Sequence, residues 1–173
     1  IKNKVKKIYL NEILMIPEGI HSEVDLFFQK AIEFARFFKS INFILRLHPL
    51  INKEIYSKKI PLELDNLKIQ TFKSKINFNL PKIVIYSGSS LIIKLCEKSF
   101  FPVYLKINED TTSDPLFQIK KPHISKPQQL ENIIKKFIIK NNFYFDSHSK
   151  IIKYSTNYFY KINKEKILKV FSK

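Results

Sequence analysis

The stretch from Lys82 to Glu97 limits the folds open to this chain more than any other. Ile83-Val84-Ile85-Tyr86 is a short apolar run rich in β-branched residues and reads as a buried strand. Ser87-Gly88-Ser89-Ser90 turns the chain. Leu91, Ile92, Leu95 and Cys96 then fall at helical spacing. A strand, a tight turn of small residues and a helix aim backbone N–H groups at an anion. Only two glycines occur in the 173 residues, Gly19 and Gly88. Each falls between an expected strand and an expected helix. Close backbone approach or a positive φ explains why glycine is kept there.

The same alternation runs along the chain. Residues 1–9 read as a linker or frayed edge. Glu12–Ile16 reads as a first strand broken by Pro17-Glu18-Gly19. A helix follows to about Lys39, with Ser22 as N-cap and Leu26, Phe27, Ala31, Phe34, Ala35 and Phe38 on its apolar face. Asn42–Leu47 is a second strand, ended by His48-Pro49, and Pro49 holds His48 extended. A short helix over 52–59, a third strand over 67–71 and a fifth strand over Phe101–Leu105 are expected. Residues 106–124 read as loop with a short edge strand near Phe117–Lys120. Pro127 opens a helix to about Asn141, with Leu130, Ile133, Ile134, Phe137 and Ile138 inward, and a last helix is expected over Asn163–Phe171.

This order predicts an α/β fold: a Rossmann-like parallel sheet of five or so strands with helices on both faces. The length suits one domain over 1–173. Its core spans about 10–141, and 142–173 form an aromatic, basic C-terminal segment. No apolar run is long enough to span a bilayer. The chain begins at Ile1, so a missing targeting segment carries no argument.

The formal charge is +16, yet of 31 basic residues only Arg36 and Arg46 are arginine. The lysines are scattered, and Ile, Asn, Phe and Tyr are abundant, as in a chain shaped by AT-rich coding. No nucleic-acid partner is expected, because such proteins gather their basic residues into a stripe. An anionic membrane surface is the better partner for this charge. Tyr154, Tyr158, Phe159 and Tyr160 among lysines suit such an interface, although covering the core is the plainer role for them. The single cysteine, Cys96, allows no disulfide or cysteine metal site within the chain and reads as a small buried hydrophobe. No metal site and no cofactor are expected.

In parallel sheets of this kind, ligands bind at the carboxyl ends of the strands. Three polar motifs fall there: Pro17-Glu18-Gly19, Arg46-Leu47-His48-Pro49 and Ser87-Gly88-Ser89-Ser90. The serine turn is no P-loop, since no Gly-Lys-Ser/Thr ends it, and no Gly-x-Gly-x-x-Gly is present. Its hydroxyls and amides suit phosphate oxygens, and its plainer reading is a helix N-cap. Arg46 and His48 share a strand side. Arg46 is placed to grip a phosphate through two N–H groups, and His48 to donate to a leaving phosphate.

These motifs, with Phe101-Pro102-Val103-Tyr104 after them, resemble the C-terminal, donor-binding half of a GT-B glycosyltransferase. They are similar to those of bacterial capsule and surface-polysaccharide transferases, sialyltransferases included. The resemblance covers about residues 10–140. It implies that His48-Pro49 and Ser89-Ser90 match the His-Pro and Ser-Ser motifs that bind the CMP part of a donor sugar. It makes Glu18, Gly19, Arg46, His48, Pro49, Ser87, Gly88, Ser89 and Ser90 the donor-binding set, with His48 the catalytic donor to the leaving phosphate. Sialyltransferases carry their acidic-acidic-Gly base motif in the N-terminal domain, and Pro17-Glu18-Gly19 has one acid, so Glu18 is not assigned as base. Glu97 lies near the place of a ribose-reading acid in related enzymes; a plain helix-end acid is the other reading.

The expected function is therefore the nucleotide-sugar-binding half of a surface-polysaccharide glycosyltransferase, CMP-linked by resemblance. Its partners are a nucleotide-sugar donor and an N-terminal acceptor-binding domain. The isolated domain is expected to be inactive and cytoplasmic, or peripheral to the inner membrane. The alternatives are a non-catalytic Rossmann-like scaffold or partner-binding module, and a nucleotide-sugar epimerase-like domain.

Overall fold

The computed structural model describes residues 10–76, 83–107, 114–139 and 145–158. Its elements run β1 (Glu12–Ile16), α1 (His21–Phe37), β2 (Asn42–Arg46), α2 (Lys53–Ser57), β3 (Leu67–Gln70), β4 (Ile83–Tyr86), α3 (Leu91–Glu97), β5 (Phe101–Leu105), β6 (His123–Ile124), α4 (Pro127–Ile139) and α5 (Phe145–Tyr158). All six strands are parallel, in the order β3-β2-β1-β4-β5-β6. The sheet is thus the expected Rossmann-like one, and its order reverses between β1 and β4.

Strand alternation splits the core in two. Ile13, Met15, Phe43, Leu45, Ile83, Ile85 and Val103 face α1 and α4, where Phe27, Phe34, Leu130 and Phe137 meet them. Leu14, Ile44, Val84, Tyr86 and Tyr104 face the other side, packed by Ile92, Leu95 and Cys96 of α3 and Ile151 of α5. Cys96 is fully buried, as expected for a small hydrophobe, and burial pushes its thiol well above the ordinary value. Among the described residues, no helix is long and apolar enough to cross a membrane.

Pro102 sits inside β5, next to the sheet edge, without breaking it. Tyr104 donates its N–H to Pro122 O on the β6 edge. The nitrogen two residues earlier lies on that same edge, before β6 begins, so the missing donor of Pro102 has no neighbour to fail. Asn66, buried at the start of β3, holds its side-chain amide 3.0 Å from Ala35 O, 2.9 Å from Phe38 O and 3.0 Å from Ile41 O. It thereby satisfies the Ala35 carbonyl in the last turn of α1 and ties down the connection to β2.

Several expectations need correction. The N-cap of α1 is Ile20, not Ser22, and no side chain caps the helix. Leu26 is exposed, while Val24, Phe28 and Ile32 join the buried face instead. No strand forms at Phe117–Lys120; Phe117 and Ile119 donate back to Asp114 O and Leu116 O in consecutive turns, and the edge strand is His123–Ile124. Ile138 is exposed. The core does not stop near 141, because α5 brings Ile151 and Tyr154 onto the α3 side, and Tyr154 donates to Pro115 O at 2.7 Å. The helix expected over Asn163–Phe171 lies outside the described residues, as do Phe159 and Tyr160.

Candidate functional site

Four strands end on one rim, and their following segments enclose a cleft of about 390 Å³. Ile16 and Pro17 come from the end of β1, Arg46 to Pro49 from β2, Phe72 from beyond β3, and Ser89, Ser90, Leu91 and Lys94 from the turn and helix after β4. The volume fits a small ligand. The cleft opens beside the β1–β4 reversal, where sheets of this order take their ligands. These observations define a Rossmann-like α/β domain with a ligand-sized cleft at its switch point. Among the described residues no group of three His, Cys, Asp or Glu side chains could hold a metal ion.

His48 is exposed, and its Nδ1 accepts the Leu50 N–H at 3.3 Å. A neutral imidazole held this way carries its proton on Nε2, which makes Nε2 the donor. The ring is seated by Gly19. A Cβ on Gly19 would stand 2.8 Å from His48 Nδ1 and 2.9 Å from Cγ. Close approach, not a positive φ, therefore explains this glycine. Gly19→Ala is expected to displace the imidazole and weaken ligand binding more than it lowers the melting temperature; titration and a melting curve on the same variant check this.

Gly88 meets both conditions. Its φ is +64°, and a Cβ there would stand 2.7 Å from Glu18 Cδ. The Ser-Gly-Ser-Ser turn thus packs its backbone against the Glu18 side chain. The turn offers fewer amides than its sequence promises: Ser89 N donates to Ser87 O, Ile92 N to Ser89 O and Ile93 N to Ser90 O. Ser90 is the N-cap of α3, but its side chain makes no capping bond. The plain capping reading of Ser90 thus fails, and Ser89 and Ser90 are lining residues of the cleft. Ser87 is fully buried and is not among the lining residues.

Arg46 borders the cleft, but its fork is engaged. Nη1 donates to Ser74 O at 2.8 Å and Nη2 to Phe72 O at 2.5 Å. Burial lowers its pKa without threatening its charge. Glu18, Gly19 and Gly88 support the rim from behind and are not among the lining residues. Glu97 lies seven residues beyond Ser90, about 10 Å along the helix, and does not line the cleft either. Sequence reasoning missed Phe72 and Lys94. Lys94 follows Ser90 by four residues, one helical turn on the same face, so spacing alone places it there. Phe72 follows a strand in the same parallel sheet, so the rim rule applied to β3 as well.

Behind the rim, Glu18 faces Glu23 in the first turn of α1. Glu23 Oε2 is buried without a donor. Two ionised carboxylates only accept, so neither can satisfy the other. Desolvation first, then the charge and side chain of Glu18, hold Glu23 above its ordinary value. The folded chain therefore binds more protons than the unfolded one above about pH 4.5, and stability falls as pH rises through that window. Glu23→Gln is expected to raise the melting temperature at neutral pH and to leave it unchanged well below the ordinary carboxylate pKa. Melting curves across pH check the difference.

No family model matches this chain, and no curated protein matches it. Among solved structures, one described as "Crystal Structure of TarM" aligns over 96% of this chain at 16% identity, with a TM-score of 0.48. The chain spans only 35% of that structure's length. An overlap at that score carries no functional argument, and the site geometry stands by itself.

Proposed function

We propose that this chain is the nucleotide-binding part of a glycosyltransferase that takes a nucleotide-activated sugar, CMP-linked by its His-Pro and Ser-Ser motifs. One observation carries this reading. The separate His48-Pro49 and Ser89-Ser90 motifs, some forty residues apart, line one cleft at the sheet's switch point. His48 Nε2–H and the two serine hydroxyls supply donors to a leaving phosphate, and Lys94 adds positive charge on the same wall. Donors aimed at developing negative charge act most strongly in the transition state. The acceptor site and general base belong to another domain, so this part alone binds the donor without transferring sugar.

A thermal-shift panel of CMP, CDP, UDP and GDP tests the reading. A ligand bound only by the folded state raises the melting temperature through a stabilisation of RT ln(1 + [L]/Kd). The expected result is a rise with cytidine nucleotides that grows with concentration. No rise with any nucleotide would leave a scaffold with an unused cleft.

A further inference from the structure

Phe72 and Arg46 form a unit that the phosphate donors do not explain. Phe72 is 48% exposed, a large aromatic ring left in solvent on the cleft wall. Its segment is a turn closed by Ser74 N donating to Thr71 O at 3.1 Å. The Phe72 and Ser74 carbonyls of that turn both accept from the Arg46 guanidinium. The planar fork bridges the two carbonyls with a separate nitrogen on each. The turn is tied to β2 again where Leu47 N donates to Gln70 O at 3.0 Å. Lys73 Nζ lies 5.9 Å from the Phe72 ring centroid, so a cation also accompanies the ring.

We propose that Phe72 is the stacking platform for the base of the bound nucleotide, and that Arg46 is a positioning residue holding that platform rather than a ligand of the phosphate. This rests on the nucleotide reading above. The physical logic is a division of the cleft by chemistry. His48, Ser89 and Ser90 are hydrogen-bond donors suited to phosphate oxygens. None of them offers a flat apolar face. Phe72 does, and every nucleobase has a π-face to lay against it.

The chain contains no tryptophan, so Phe72→Trp introduces a single tryptophan as fluorescent reporter at the platform. CMP is expected to quench its emission, and ribose 5-phosphate to leave it unchanged. Phe72→Ala should weaken CMP binding about 5- to 150-fold, the range for loss of one aromatic–base stack. The same variant should bind ribose 5-phosphate as the unmodified chain does. Arg46→Gln should weaken CMP and spare ribose 5-phosphate; equal losses for both would make Arg46 a phosphate ligand and overturn its positioning role. Equal CMP affinity in Phe72→Ala and the unmodified chain would overturn the platform while leaving the nucleotide reading intact. Failure of the unmodified chain to bind CMP would instead overturn the nucleotide reading, and the platform with it.

Discussion

Lys121→Ala is expected to destabilise the fold by about 3–5 kcal/mol, the cost of breaking one side of a buried ion pair. Only 3% of the Lys121 side chain and 14% of the Asp114 side chain are exposed. Lys121 Nζ pairs with Asp114 and also donates to Leu116 O at 2.6 Å and Ile119 O at 3.2 Å. Asp114 accepts from the Tyr86 hydroxyl at 2.7 Å and from Leu116 N at 2.9 Å. Burial, and then Asp114, push the Tyr86 hydroxyl far above its ordinary value, so it remains a donor. This cluster fastens the 114–121 segment over β4 and β5. Removing the lysine leaves a carboxylate in a nearly dry site with two neutral donors. Replacing both partners, as Asp114→Asn with Lys121→Met, should recover much of the loss, because the uncompensated charge is gone. Urea unfolding of the single and double variants checks this, and a single variant no worse than the double would refute it.

Gly88→Ala is expected to cost about 1–3 kcal/mol from backbone strain alone, since a φ of +64° suits few residues with a Cβ. The new methyl would also press on Glu18, at 2.7 Å from Cδ and 3.1 Å from Cβ. The serine turn must then shift, and it carries Ser89 and Ser90 into the cleft. Loss of nucleotide binding should therefore accompany the loss of stability. Adding Glu18→Ala should relieve the collision but not the strain, so stability should return only in part. Full recovery in the double variant, by chemical denaturation, would show that strain contributes nothing.

The elements around the site were legible because they have short-range causes. The β-branched run at Ile83–Tyr86, the break at Pro17 and the proline after His48 each set a strand end within a residue or so. Alternation of strands and helices makes the strands parallel, which puts three turns on one rim. What escaped was decided by partners distant in sequence. Arg46 reads as a free cation until Phe72 and Ser74 supply carbonyls 26 and 28 residues away. Phe117–Lys120 reads as an edge strand until Tyr86, 28 residues before Asp114, holds that aspartate, whose carbonyl takes the Phe117 N–H and starts a turn instead. Helix α5 was hidden because its polar composition marks no core, yet Ile151 and Tyr154 pack against the α3 side of the sheet. The serine turn was over-read for its amides, because three of those nearby are satisfied within the turn and the first residues of a seven-residue helix.

The central claim is that His48 and the serine turn hold a nucleotide phosphate between them. Calorimetric titration of CMP into the unmodified chain and into His48→Ala, with a melting curve for each, tests it most directly. The His48 side chain is exposed and accepts only the Leu50 N–H among the described residues, so its loss should leave the melting temperature nearly unchanged. Loss of one donor to a charged oxygen should cost on the order of 1–3 kcal/mol, or about 5- to 150-fold in affinity. A variant that binds CMP as tightly as the unmodified chain, but melts much earlier, would make His48 a structural residue and contradict the account.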